Sequence, residues 1–242
     1  MDKKTFSVPF DLGEVKENFS IDITPPSKST KPTQEQIINQ AWKFHSEGNI
    51  KEAAKYYQYC IAQGFNDPDV FSNYGIILKN IGQLKEAENC YRKAIELQPD
   101  SADAYANLGN LLRDLGKLKE AELFTRKAIE LNPDFANAYC NLGNILRDLG
   151  ELKEAEVSLR KAIKLNPELE HAHLNLGNIL QDLGNLKEAL ISVRKAIELN
   201  PDFANAYLNL GNIFQGLGNL KEAEVFTRKA IQLNPDFAEA HS

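Results

Sequence analysis

Asparagine is the residue type that this chain sets out most regularly for chemistry. Asn39, Asn73, Asn107, Asn141, Asn175 and Asn209 stand 34 residues apart. A second set, Asn110, Asn144, Asn178 and Asn212, keeps the same interval three residues further on. Within one copy Asn137, Asn141, Asn144 and Asp148 follow at steps of 4, 3 and 4, so on a helix they share one face. A carboxamide carries a donor and an acceptor together. That pair matches the N–H and C=O of an extended peptide and ignores its side chains. Asn is also roughly a few tenths of a kcal/mol worse than Ala in a helix, so its recurrence needs a reason. Two reasons fit: contact with a bound peptide, or bonds to the backbone of the neighbouring copy that stiffen the array. Duplicated copies are not independent witnesses, yet the first two copies have drifted widely and still keep Asn39 and Asn73.

Other chemistry is poorly served. Cys60, Cys90 and Cys140 are scattered with no C-x-x-C, which fits buried thiols in a reducing compartment better than disulfides or zinc. His171 and His173, two apart on a helix, point about 200° from each other and cannot share one ion. His173 also holds the place of Tyr139 and Tyr207 in neighbouring copies, which is a packing place. The run from Gly109 to Lys117 is too long for a phosphate loop, has Leu118 where a Ser or Thr is needed, and ends a helix instead of starting one. G-x-S-x-G, H-E-x-x-H and a dinucleotide G-x-G-x-x-G are absent from the sequence. We therefore expect no catalytic residue, no cofactor site and no metal site; the chain does not read as an enzyme.

The positioning elements come from internal copying. Shifting residues 136–169 by 34 turns Gly143 into Gly75, Gly109, Gly177 or Gly211. Ala155 becomes Ala53, Ala87, Ala121, Ala189 or Ala223, and Pro167 becomes Pro99, Pro133, Pro201 or Pro235. A fixed period of this size marks a solenoid. Each copy reads as two helices. Tyr139, Leu142, Leu146 and Leu149 form an apolar stripe that Gly150 ends; Leu152, Ala155, Leu159, Ala162, Ile163 and Leu165 form another that Pro167 stops. A mid-helix Gly costs about 0.8–1 kcal/mol relative to Ala, so Gly143 is expected where the partner helix comes close, at Ala155 and Ala162. Glu156 with Arg160, and the matching Glu88–Arg92, Glu122–Arg126 and Glu224–Arg228, are expected as solvated surface pairs.

These landmarks resemble the tetratricopeptide-repeat (TPR) family. The aromatic Tyr139 is fourth in its unit, Leu142-Gly143 seventh and eighth, Ala155 and Ala162 twentieth and twenty-seventh, and Pro167 thirty-second. The resemblance implies an all-α chain, a right-handed α-solenoid of six TPR helical hairpins with a disordered N-terminal arm. The units run 34–67, 68–101, 102–135, 136–169, 170–203 and 204–237, after an arm over 1–33 and before a truncated seventh unit at 238–242. Departures are Ala41, Cys60 and Phe65 in the first unit, and Thr125, Leu159, Val193 and Thr227 in place of a large aromatic. In the family the first helices line the inner wall of a superhelix, so all ten asparagines of the two columns are implied peptide contacts. The family's carboxylate clamp is not implied: Asn110 with Asn141 supplies the asparagine pair, but Ala106, Cys140 and Leu174 stand where lysine is needed. Arg113 and Arg147 would favour acidic segments in the groove.

Charge and termini complete the expectation. The net charge is −6 and the sequence pI near 5.4, which argues against nucleic-acid and anionic-membrane partners. Residues 1–31 balance five acidic against five basic side chains around Pro25-Pro26, a composition that buries too little to order itself. The alternating Phe19–Ile23 could lie along a groove. A charged start without an apolar core argues against a signal peptide, so the chain is expected in the cytoplasm. Thr33 and Gln36 suggest a capping box opening the array, and Trp42 with Tyr56, Tyr57 and Tyr59 suggests a packed aromatic cap, with a peptide-binding pocket as the alternative. No polar-faced capping helix follows Phe237, so we expect the native chain to continue, the other option being a partner or a second copy (self-association) that covers the uncapped end. The expected function is a non-catalytic scaffold binding peptide or protein segments in a concave groove. The alternative is the substrate-recognition array of a larger glycosyltransferase, similar to O-GlcNAc transferase, or of a sulfotransferase.

Overall fold

The computed structural model describes residues 32–236, and twelve α-helices lie among them. They pair as α1 (Gln34–Ser46) with α2 (Ile50–Ala62), α3 (Pro68–Asn80) with α4 (Leu84–Leu97), and α5 (Ala102–Asp114) with α6 (Leu118–Leu131). The chain continues as α7 (Ala136–Asp148) with α8 (Leu152–Leu165), α9 (Glu170–Asp182) with α10 (Leu186–Leu199), and α11 (Ala204–Gly216) with α12 (Leu220–Leu233). Two compact units divide the chain, one ending at Leu131 and the other starting at Asn132, each holding three hairpins. Within each unit the first helix of a hairpin also packs on the second helix of the hairpin before it. The arm over 1–31 and the seventh-unit start at 238–242 lie outside the described residues.

Local sequence explains where these helices begin and stop. Thr33 Oγ1 accepts from the Gln36 backbone N–H at 3.2 Å, and Gln36 Oε1 accepts from the Thr33 N–H at 2.9 Å, closing the expected capping box. Asp67 caps α3, with Pro68 in the first turn where a missing N–H costs nothing. Between the helices of the fourth hairpin Gly150 turns left-handed at φ 80°, and the Glu151 N–H reaches back to the Leu146 carbonyl at 2.8 Å. Between hairpins, Asn166 Oδ1 accepts from the Glu168 N–H at 3.1 Å across Pro167, and the same short turn recurs at Asn132, Asn200 and Asn234.

Packing inside a hairpin corrects one expectation. A Cβ on Gly143 would lie 2.6 Å from Leu159 Cγ, so the close neighbour is Leu159 and not Ala155 or Ala162. Gly75 faces the Tyr91 ring in the same way, Gly109 faces Thr125, Gly177 faces Val193 and Gly211 faces Thr227. The alanine matters through its backbone: at Gly109, Gly177 and Gly211 the carbonyls of Ala121, Ala189 and Ala223 come next, at 3.2–3.4 Å. The twenty-fourth position of the unit, tyrosine in the first two hairpins and Thr, Leu or Val in the others, is thus the wedge of each hairpin. Tyr57, Tyr91, Thr125, Leu159 and Val193 are all buried there. The first hairpin uses Ala41 and Tyr57, and packs Trp42, Phe44, Tyr56 and Tyr59 around them as an aromatic core.

The expected Glu–Arg pairs are present, at 2.7 Å for Glu88–Arg92 and 2.8 Å for Glu156–Arg160. They also do something the spacing did not suggest. Arg92 reaches Glu120, Lys117 reaches Glu88 and Arg160 reaches Glu188, so charges tie neighbouring hairpins together. Burial raises the Glu88 carboxyl, but hydrogen bonds from Arg92 and Lys117 outweigh it and hold the group below its ordinary value.

Candidate functional site

Neighbouring hairpins pack mainly through the second helix of one against the first helix of the next, and where like helices meet it is the first helices that do so. In the first unit α3 touches α5; in the second α7 touches α9 and α9 touches α11, and the second helices make no comparable contact. Within each unit, then, the first helices form the tighter layer. Their packed stripes are buried, as at Leu142, Ile145 and Leu146, and beside them the asparagines of the two columns, Asn73 excepted, are half-buried or exposed.

The columns are not uniform. In the first unit Asn39 is exposed, Asn107 and Asn110 are half-buried, and Asn73 is wholly buried with neither side-chain atom hydrogen-bonded. As it stands, Asn73 offers a peptide nothing. In the second unit Asn141, Asn144, Asn175, Asn178 and Asn209 are half-buried and Asn212 is exposed. Asn209 Nδ2 donates to Asn178 Oδ1 across adjacent hairpins, and Asn175 Nδ2 lies 3.6 Å from Cys140 Sγ. Those links run between side chains; neither reaches the backbone of the neighbouring hairpin. The amides of Asn107, Asn110, Asn141 and Asn144 bond no other group among the described residues.

Two cations of the first helices are already paired. Arg147 Nε donates to Asp182 Oδ2 at 2.8 Å, and Lys79 pairs with Asp114 at 2.9 Å. The expectation that Arg147 recruits acidic segments therefore meets a salt bridge that a guest would have to displace. The histidines behave as packing groups. His173 Nε2 donates to the Pro167 carbonyl at 2.9 Å, and His171 meets the Phe203 ring edge-on at 5.0 Å. Among the described residues no three His, Cys, Asp or Glu gather as a metal site would need. Burial raises the Cys60 and Cys90 thiols to about 11, which leaves them protonated at neutral pH. No described helix is long and apolar enough to cross a membrane.

Stacked antiparallel helix pairs written in one repeated sequence define a helical-repeat protein. Family models assign the type: TPR repeats match residues 143–184 and 177–218, and tetratricopeptide repeats match 124–157 and 204–237. The middle TPR-like domain of cilia and flagella-associated protein 70 matches 40–139. The chain belongs to the tetratricopeptide-repeat family. No curated protein matches it at a significant level. Among solved structures, YrrB, described as a TPR protein with an unusual peptide-binding site, is 29% identical over 76% of this chain and 95% of its own, with a TM-score of 0.56. MamA is 27% identical over 68% of this chain and 96% of its own, with a TM-score of 0.58. PilW, described as a widely conserved type IV pilus biogenesis factor, is 19% identical over 86% and 96%, with a TM-score of 0.75, a likeness of fold alone.

Proposed function

We propose that this chain is a non-catalytic scaffold that holds extended peptide or protein segments against the asparagine columns of its first helices. One observation carries the reading. Asn141 and Asn144 stand half-buried on α7 with no side-chain hydrogen bond among the described residues, each able to accept and donate hydrogen bonds. A peptide backbone in extended form has just those groups to offer and leaves its side chains unread. YrrB, similar in sequence and described as peptide-binding, supports the same class of partner. The test is capture of a bead-displayed random peptide library by the full chain and by a variant with Asn141→Ala and Asn144→Ala. The reading expects capture to fall several-fold at an unchanged melting temperature. Intact capture with melting lowered by many degrees makes the asparagines structural.

Self-association is a second reading, favoured by the last helix. Ala223 and Thr227 are half-exposed in α12 where Ala155, Leu159, Ala189 and Val193 are buried, and Leu220 is 67% exposed. The half-exposed Ala223 and Thr227 and the exposed Leu220 offer apolar surface to a second copy. Light scattering decides it: a mass that rises with concentration, and stays flat after Leu220→Lys, supports contact there.

A further inference from the structure

Among the described residues, four of the six large apolar side chains left exposed are one repeat position met four times. They are Leu123, Val157, Ile191 and Val225, 34 residues apart and 62–69% exposed. The position does not demand an apolar residue, because the first two hairpins place Lys55 and Asn89 there. Nor is it mere copying, since the side chain changes among Leu, Ile and Val while staying aliphatic. Val and Ile are weaker helix formers than Lys, Glu or Ala by roughly a few tenths of a kcal/mol, and at this exposure they recover little by packing. Packing within its own hairpin thus gives no reason for an aliphatic residue at this mid-helix position.

In the second unit the row runs Val157 on α8, Ile191 on α10 and Val225 on α12, one side chain wide. Three residues before each stands a Glu (Glu154, Glu188, Glu222), and three after each an Arg (Arg160, Arg194, Arg228). Over these three helices ten Lys and Arg face six Glu, an excess of four positive charges in a chain whose net charge is −6. The first helices of the same unit, α7, α9 and α11, carry an excess of two negative charges. Salt bridges such as Arg160–Glu188 and Lys195–Glu198 consume both signs equally and leave the excess standing.

A row of single apolar side chains in a basic field is the complement of a helix with a narrow apolar stripe and acidic flanks. We infer that the outer face of α8, α10 and α12 is a second docking surface, for an acidic amphipathic helix of a partner protein. It uses the opposite layer from the asparagine columns and does not depend on them.

The test uses the full chain and a fluorescein-labelled peptide of three heptads, with Leu at the first and fourth places of each and Glu at the flanking ones. Anisotropy should show binding that weakens at least about tenfold when Lys replaces the flanking Glu. It should weaken as much in the variant Val157→Gln, Ile191→Gln, Val225→Gln, whose new side chains are good helix formers on an exposed face. Asn141→Ala with Asn144→Ala should leave it unchanged. The inference is overturned by absence of binding at about 1 mM peptide, or by equal affinity for the triple variant or the Lys peptide. Self-association that the triple variant abolishes would give the face to a second copy. Displacement of the peptide by phosphatidylglycerol vesicles would give it to a lipid surface.

Discussion

Replacing Gly143 with Ala probes the wedge on which each hairpin closes. The new Cβ would stand 2.6 Å from Leu159 Cγ and 3.0 Å from its Cδ2, and Leu159 is completely buried, so it has no open space to swing into. Overpacking of this kind costs about 1–3 kcal/mol. The higher helix propensity of Ala returns about 0.8–1 kcal/mol. A net loss of about 1 kcal/mol follows for a substitution that would stabilise an ordinary helix. The stronger statement concerns coupling. Leu159→Ala alone should cost about 2–5 kcal/mol through the cavity it leaves, and in the double variant the methyl introduced by Gly143→Ala fills part of that cavity. The double variant should therefore lose at least about 1 kcal/mol less than the two single losses added. Urea titration followed by circular dichroism measures all three. Additivity within about 0.5 kcal/mol, or a Gly143→Ala variant more stable than the parent, would show that the glycine answers to something other than Leu159.

Two further outcomes follow from side chains that the repeat does not share equally. His45 is buried with its Nδ1 3.1 Å from the Tyr57 hydroxyl, and burial lowers its pKa below the ordinary 6.5. The unfolded chain then takes the proton first, so this contribution is complete above pH 6.5 and declines as pH falls through the folded value. Melting temperature should drop more for the parent than for His45→Gln between about pH 7.5 and 5.5; equal drops would clear His45 of the effect. Arg160 is half-exposed and bridges Glu156 and Glu188 across hairpins. Arg160→Ala should cost under about 1 kcal/mol, and about 0.5 M salt should erase most of the difference; a loss that persists in salt would mean the arginine stem, not its charge, holds the hairpins.

Much of the helical framework is written in contiguous residues, and for that reason it was legible. Thr33 with Gln36, Asp67 before Pro68, and Gly150 after an apolar stripe each act within one turn of the chain. The asparagine columns were equally visible as a pattern, but not as a surface. Asn39 and Asn73 share a residue type and a repeat position, yet one is exposed and the other is sealed in. The salt bridge of Arg147 is invisible to local pattern because its partner, Asp182, is 35 residues away on the next hairpin. Gly143 does not meet the small Ala155 or Ala162 that its own size suggests. In the folded hairpin the missing side chain makes room for the large Leu159.

By itself, then, the order of residues determined which segments are helical, where each ends and that the unit is a hairpin, because hydrogen bonds to i−4 and a 3.6-residue stripe are local properties. Only the tertiary structure decided which asparagine amides remain unengaged, which charges are paired between hairpins, and that Val157, Ile191 and Val225 stand in water. Those outcomes depend on how helices 16 to 35 residues apart cross and cover one another, and no local pattern encodes a crossing.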